Sequence, residues 1–568
     1  MNQLLHTNAD PRILHAQAIK SPYTNLSCFN HLITLYSRSP NFLVFSYANR
    51  LFSLLPSPNI VSWTSLISAH THSFLSLHHF LSMLRRPILP NQRTLASLFK
   101  ACTNLSALSF GFSLHSMALK LSLDTQPFSG SALVNFYSKC RLPENARKVF
   151  DEMPERDEVC YGALIVGLAQ NSRAIDALSV FNEMKFCNVS STVYSVSGAL
   201  RAAAAMAALE QCRVIHGHAV VSGLDRNVII GSSLIDGYGK AGVIMDARMV
   251  FDELLPGLNM VAWNAMMAVY AQQGDKNSVL ELFNAMRGEG LLPDEYSFLA
   301  ILTAFCNAGL YLESEKWLKS MKVEYGVEPG LEHYTCLVGA MGRAGRLEEA
   351  EQIAMTMPFE PDAAVWRVVL SSCACHGDAD KAWVMAKRLL QLDPLDDSAY
   401  AIAVNVLSAK GRWDEVAELR KLMKDRRVKK QGGKSWIEVK GKVNVFLSED
   451  RRHERTQEIY SKLAELMEDI EKLGYVPVLD EMLHEVGEKE KREALRYHSE
   501  KLALAFGVVS GAAPPGKALR IIKNLRICKD CHEAFKYFSI AVEREIIVRD
   551  ANRYHRFLNG NCTCGEIW

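Results

Sequence analysis

The sequence predicts an all-α solenoid of stacked helical hairpins followed by a small α/β domain. Three observations carry this expectation. A segment beginning SALVNFYSKCRLPENARKVFDEM at Ser131 returns as SSLIDGYGKAGVIMDARMVFDEL at Ser232 and more loosely as TCLVGAMGRAGRLEEAEQIAMTM at Thr335, so the starts lie 101 and 103 residues apart. Apolar residues inside each block fall at helical spacing. Near the end the pattern turns mixed, and Cys528, Cys531, Cys562 and Cys564 gather in the last 41 residues with His532 and His555.

Composition sets the outer limits. The chain has 568 residues, 64 Lys+Arg against 62 Asp+Glu, 49% hydrophobic and 22% charged residues, which excludes a disordered or collagen-like chain. A net charge of +2 selects no partner, but its distribution is uneven: ahead of Asp124 the only acid is Asp10, against nine Lys or Arg. That stretch favours a polyanionic partner. No run of 18 apolar residues occurs, so no membrane-spanning segment is expected, and MNQLLHTNADPRILHAQ lacks the charged and apolar regions of a secretory signal. Ten cysteines are scattered from Cys28 to Cys375 within apolar patterns and read as reduced core residues, while the terminal four fit bound metal in a reducing compartment.

The elements follow in order. Residues 1–59 read as truncated repeats: LHAQAIKSPYTN matches the second half of a long block, and a short block runs from Leu26 to Asn59. Residues 60–362 hold three triads, at 60–157, 158–259 and 260–362, each of three blocks of 31 to 36 residues. In Met260–Asp294, Trp263, Met266, Met267 and Tyr270 make one apolar stripe, Gly274 interrupts it, and Val279, Leu282, Phe283 and Met286 resume it. Each block is therefore a helical hairpin. A hairpin this short cannot bury its apolar face alone, so neighbours must stack. Residues 363–430 continue as two looser helical pairs. In 431–470, SWIEVKGKVNVFL alternates as a strand pair around Lys440 and Gly441, after a basic run (Lys424–Lys434) that suits either a phosphate contact or a solvated linker. Residues 471–568 predict a helix over Glu488–Phe506, a strand over Ala518–Ile527, a helix over His532–Val542, and strands over Arg544–Val548 and Tyr554–Leu558.

Chemistry is concentrated in that last segment. His498 and Glu500 form an HxE on a helical segment, and Cys528 and Cys531 a CxxC opening another. One imidazole and two thiolates give a catalytic zinc three protein ligands and leave the fourth position for water. A carboxylate two residues from the His can exchange protons there without ligating the metal, which is the arrangement of zinc nucleoside deaminases. HxE alone is weak evidence and CxxC alone more often marks a structural zinc; together they are specific. His532, His555, Cys562 and Cys564 form a second set of four zinc-type ligands, the alternative being an exposed helical His and a loose redox pair of cysteines.

Two resemblances rest on these residues. WNAMMAVYAQQGDKNSVLELFNAMRGEGLLPD resembles a pentatricopeptide repeat, and the alternation of block lengths resembles the plant triad subclass with its extension motifs. HSEKLALAFG, PPGKALRIIKNLRICKDCHEAFKYFS and REIIVRDANRYHRFLNGNCTCGEIW resemble the DYW cytidine deaminase domain of plant RNA-editing factors. The first resemblance implies a superhelix in which each repeat faces one base of single-stranded RNA, read by the fifth residue of its first helix and the last residue of the repeat. Carried over, the pairs are Asn30 with Asn59, Thr64 with Asn91, Ser131 with Asp157, Ser232 with Asn259, Asn264 with Asp294 and Thr335 with Asp362, favouring C, A, G, A, U and G. Ala96, Gly162, Ser197 and Leu299 stand at the remaining reading positions, where the code is uninformative. Any one of these polar residues also suits a helix cap.

The second resemblance implies deamination of cytidine to uridine in an organellar transcript. Glu500 is then the proton carrier, His498, Cys528 and Cys531 hold a catalytic zinc, and His532, His555, Cys562 and Cys564 hold a structural one, two ions per chain. The mitochondrion is the expected compartment and the chloroplast the alternative, with accessory editing factors open as further partners. The family's terminal Asp-Tyr-Trp is replaced by Glu566-Ile567-Trp568. That departure keeps a second expectation alive, a specificity factor whose zinc-binding tail recruits a separate deaminase. A protein-binding scaffold with a structural zinc tail is disfavoured by the polar reading positions.

Overall fold

The computed structural model describes residues 11–20, 26–37, 42–255, 257–428, 432–479, 488–514, 516–551 and 553–564. Among the described residues the chain forms 29 helices and six strands, and it divides into two compact units, Met1–Ala202 and Ala203–Trp568.

After α1 (Pro11–Lys20), the helices from α2 (Leu26–Ser37) to α25 (Trp413–Asp425) follow as successive hairpins. Within the first unit α4 (Ile60–Ala69), α6 (Gln92–Asn104), α8 (Pro127–Lys139) and α10 (Glu158–Gln170) stack each on the next. The second unit repeats this with α14 (Val228–Lys240), α16 (Met260–Gln272), α18 (Glu295–Asn307), α20 (Leu331–Arg343) and α22 (Ala363–His376). The repeated sequence produces repeated contacts. Phe52–Trp63, Phe150–Tyr161 and Phe251–Trp263 each meet edge to face, with ring centroids 4.7, 5.0 and 4.9 Å apart. Burying such rings contributes roughly 1.5–3 kcal/mol each, which is how one hairpin is secured to the next. His115 Nδ1 lies 2.6 Å from the Tyr137 hydroxyl, and His216 repeats this with Tyr238 at 2.9 Å. The break expected at Gly274 separates α16 from α17 (Lys276–Gly288), with Gly274 at φ +75°, where a side chain is disfavoured.

The second unit also carries a six-stranded sheet in the order β2-β1-β3-β4-β5-β6. Its strands are β1 (Lys434–Val439), β2 (Lys442–Leu447), β3 (Leu519–Lys523), β4 (Ile546–Arg549), β5 (Tyr554–Leu558) and β6 (Asn561–Cys562). Only β3 and β4 are parallel; the other pairs are antiparallel. Lys440 (φ +52°) and Gly441 (φ +73°) make the expected two-residue hairpin turn, both central residues taking the positive φ that matches strand twist. Against the sheet pack α28 (Ser499–Val509) and α29 (Lys529–Ala541), with α26 (Thr456–Lys472) lying on both helices, and together they share a core that includes Leu463, Leu502, Phe535 and Phe557. The hairpin from segment 431–470 thus lies in the same sheet as the strands of segment 471–568.

Three expected elements come out differently. The helix over Glu488–Phe506 is two, α27 (Glu488–Arg496) and α28, because His498 leaves the helical region at ψ 146°. The Tyr497 carbonyl is occupied by Glu449 N–H (2.9 Å) and the Ser448 hydroxyl (3.2 Å), so no helical bond can pass through it. The strand over Ala518–Ile527 ends at Lys523, where Asn524 turns its side chain back to the Lys434 N–H at 2.7 Å. The helix expected from His532 already begins at Lys529, with the Cys528 side chain as its cap.

The hairpin β1–β2 rests on α13 (Leu209–Val221). Both Glu438 carboxyl oxygens accept backbone N–H groups at the start of α13, from Glu210 at 2.8 Å and Gln211 at 2.9 Å. The Trp436 indole N–H donates to the Met206 carbonyl at 2.8 Å, and the Tyr554 hydroxyl to the Gly239 carbonyl at 3.0 Å near the end of α14.

Candidate functional site

His498 is the N-cap residue of α28 and Glu500 lies in its first turn. Cys528 is the N-cap of α29 and Cys531 lies in its first turn. Two helix starts thereby converge. His498 Nδ1 is 3.5 Å from Cys528 Sγ and 3.3 Å from Cys531 Sγ, and with Glu500 the four ligand-type atoms all lie within 4.8 Å of one another. Tetrahedral zinc with Zn–S about 2.3 Å and Zn–N about 2.0 Å puts sulfur and nitrogen roughly 3.5 Å apart. The donor set therefore fits zinc in both chemistry and spacing.

Electrostatics are arranged around these groups. Cys528 is held well below the ordinary thiol range by the hydrogen bond with Cys531 and by His498, against the opposing effect of burial. Cys531 is pushed up by burial and by the neighbouring Cys528 thiolate. Burial would raise the pKa of Glu500, but the charges of Lys523 and His498 outweigh it and keep the carboxylate ionised. Glu500 Oε2 accepts from Lys523 Nζ at 2.5 Å and from Ser499 Oγ at 3.1 Å; Oε1 is buried with no hydrogen-bond partner.

Beneath the two cysteines runs a second buried ion pair. Lys501 Nζ donates to Asp530 Oδ2 at 2.7 Å and to the Leu495 carbonyl at 3.0 Å. Asp530 Oδ1 accepts from the Tyr475 hydroxyl (2.5 Å) and the Val478 N–H (3.0 Å). Lys501 and Asp530 are 0% and 1% exposed, so each charge depends on the other.

The second ligand set also assembles. Cys564 Sγ is 3.2 Å from His532 Nε2 and Cys562 Sγ is 3.9 Å from His555 Nδ1, all four donor atoms lying within 4.8 Å. The other nitrogen of His555 lies 3.3 Å from Asp550 Oδ2, which also accepts the Ile527 N–H, so a carboxylate orients this imidazole in the way common behind metal-ligating histidines. Two histidines and two thiols suit a closed structural zinc. Sequence reasoning did not pick out Lys523, Lys501, Asp530 or Asp550. Asp530 offered one signal, a carboxylate enclosed between two metal-type cysteines at a helix start. Glu566, Ile567 and Trp568 lie outside the described residues.

In the repeats, the second residue of every expected reading pair is the N-cap of the next first helix. Asn59 caps α4, Asn91 caps α6, Asp157 caps α10, Asn259 caps α16, Asp294 caps α18 and Asp362 caps α22, each accepting backbone N–H groups. For Asn59 and Asp294 the capping oxygen is also the one that meets the first residue of the pair. Asn264 Nδ2 donates to Asp294 Oδ1 at 2.8 Å, and Asn30 Nδ2 to Asn59 Oδ1 at 3.4 Å. Thr64 and Asn91 meet through the Thr94 hydroxyl, 2.6 Å from one and 3.0 Å from the other. Ser131, Ser232 and Thr335 instead turn their hydroxyls to carbonyls of their own helices, at Phe128, Val228 and Leu331.

Comparison with known proteins gives the family. The family described as the DYW family of nucleic acid deaminases matches residues 474–568, the E motif matches 376–438, and the PPR repeat matches five segments between 131 and 357, with a further PPR repeat family match over 258–307. A putative pentatricopeptide repeat-containing protein of Arabidopsis thaliana is 39% identical over 559 residues, covering 98% of this chain and 94% of that one. Another from the same plant, named as mitochondrial, is 36% identical over 95% of this chain and 84% of its own. Among solved structures, the pentatricopeptide repeat protein PPR10 in complex with an 18-nt psaJ RNA element superposes with a TM-score of 0.55 at 18% identity, over 74% of this chain and 65% of that one, a likeness of fold. With its repeats, E motif and DYW deaminase domain in that order along the sequence, the chain belongs to the pentatricopeptide repeat family.

Proposed function

We propose that the chain is a sequence-specific RNA-editing enzyme whose repeats hold single-stranded RNA and whose terminal domain converts one cytidine to uridine. The observation that carries this reading is the convergence of His498, Cys528, Cys531 and the buried carboxylate of Glu500 on one point. His498, Cys528 and Cys531 would hold a zinc ion, which would supply Lewis-acid activation of the attacking water near neutral pH. The residues of the chain do the rest. Glu500, ionised and buried, takes a proton from the attacking water, delivers it to N3 of the base, and passes the second proton to the amine that leaves as ammonia. Because it carries a proton from one place to another, it ends each cycle as it began. The second set, His532, His555, Cys562 and Cys564, would bind a structural zinc, making two ions per chain.

On the repeat side, the six pairs favour RNA reading C-A-N-G-N-N-A-U-N-G, with the edited cytidine four nucleotides 3′ of the final G. The compartment is read as the mitochondrion, with the chloroplast second; relatives named as mitochondrial support it. Accessory editing factors would join as partners where the chain alone is insufficient.

The test is deamination by purified full-length protein of a short RNA bearing C-A-N-G-N-N-A-U-N-G-N-N-N-C, with Glu500→Ala alongside and zinc content measured. Conversion by the parent, lost in the variant, is the expected outcome. Tight RNA binding by the zinc-loaded parent without conversion would overturn the enzyme reading in favour of a specificity factor that recruits a separate deaminase.

A further inference from the structure

Glu500 is wholly buried, yet its two oxygens are treated unequally. Oε2 takes both available donors, Lys523 Nζ at 2.5 Å and Ser499 Oγ at 3.1 Å, while Oε1 has no partner. A buried acceptor left unmade is costly, and an ion pair present for stability alone would satisfy both oxygens or be replaced by apolar packing. The donors are themselves set by the sheet. Ser435 of β1 and Lys523 of β3 are direct cross-strand partners, so their side chains share one face of the sheet. The Ser435 hydroxyl lies 2.9 Å from that of Ser499; with Ser499 donating to Glu500, Ser435 donates to Ser499. All of this is dry: Ser435 is 0%, Ser499 2% and Lys523 9% exposed.

We infer that Lys523 is a positioning residue for the deamination, which together with Ser435 and Ser499 pins Oε2 of Glu500 and thereby leaves Oε1 as the oxygen that exchanges protons with water and base. This rests on the deaminase reading above. Lys523 changes no bond in the reaction: the proton goes from water to Oε1 and on to N3, with the ammonium as a fixed counter-charge. Ser435 lies ahead of the segment matched by the deaminase family, at 474–568, and within the match to the E motif, at 376–438. The hairpin before the deaminase segment is then part of the catalytic unit.

The experiment uses full-length protein carrying Lys523→Met, Lys523→Arg, Ser435→Ala or Glu500→Gln, and the double variant Lys523→Met with Glu500→Gln. Turnover and KM on the RNA above, zinc content and thermal unfolding are read for each. Lys523→Met is expected to lower kcat by about 10²-fold, the scale of misplacing a reacting group, with KM and zinc content unchanged and part of the rate returned by Lys523→Arg. The destabilisation caused by Lys523→Met is expected to vanish in the Glu500→Gln background. Full turnover in Lys523→Met, loss of zinc from it, or equal destabilisation in both backgrounds would each overturn the inference. An inactive parent overturns the deaminase reading instead, and the unfolding cycle then still decides whether Lys523 holds Glu500.

Discussion

Asn264 donates a hydrogen bond to Asp294 at 2.8 Å, across 30 residues and from one hairpin to the next. The same Asp294 oxygen caps α18 by accepting the Ser297 N–H at 2.9 Å. On the proposed reading of bases by this pair, a substitution that keeps the cap should still change the base preferred. Asp and Asn cap helices about equally well, so Asp294→Asn should leave thermal stability unchanged while converting the pair to Asn with Asn, the combination expected to favour C. Binding assays on RNAs that differ only at this position should show preference moving from U to C by roughly 1 kcal/mol, the lower end for a mismatched position. Asp294→Ala should lose the cap as well and cost about 1 kcal/mol of stability.

Metal removal should separate the two zinc-type sets. The parent is expected to hold two equivalents by elemental analysis. Cys528→Ser combined with Cys531→Ser should retain one equivalent and no deaminase activity. Cys562→Ser combined with Cys564→Ser should also retain one, but should lower the unfolding temperature more, because β5, β6 and α29 are tied together through that set.

The Lys501–Asp530 pair is buried beyond the reach of water, so breaking one side leaves an uncompensated charge. Asp530→Asn should destabilise the protein by about 3–5 kcal/mol, read as a lower denaturant midpoint. Pairing it with Lys501→Met removes the stranded ammonium and should restore much of the loss. Since Asp530 sits between Cys528 and Cys531, the single variant should also weaken zinc retention under competition with a chelator.

Docking of the β1–β2 hairpin should depend on pH. Burial pushes the Glu438 carboxyl up to about 7, against the backbone N–H groups of Glu210 and Gln211 that lower it, with the nearby Glu210 charge adding to the rise. A carboxyl with a raised folded-state pKa binds more protons folded than unfolded, so its contribution to stability falls as pH rises from about 4.5 to about 7 and is level above. Unfolding temperature should accordingly decline over that window by more in the parent than in Glu438→Gln.

Helical hairpins, the positions of their breaks and the metal-type ligands were legible because they depend on spacing along the chain. Gly274 ends α16 for a local conformational reason, and the Asn or Asp that closes six of the blocks announces a cap whatever else it does. The two-residue turn at Lys440 and Gly441 is read in the same way. His498 was not placed correctly by periodicity: an unbroken apolar pattern runs through it, and only the occupation of the Tyr497 carbonyl by Glu449 and Ser448 ends the helix there.

Residue types that can bind a metal, and intervals at which helices present them, are local properties, and the chain declares them without being folded. Which carboxylate oxygen is held, which lysine neutralises which acid, and that Ser435 stands beside Ser499, 64 positions later, are set by the register of β1 against β3 and by burial. Those depend on the free energy of charges removed from water, a quantity that exists only once distant segments have closed around them.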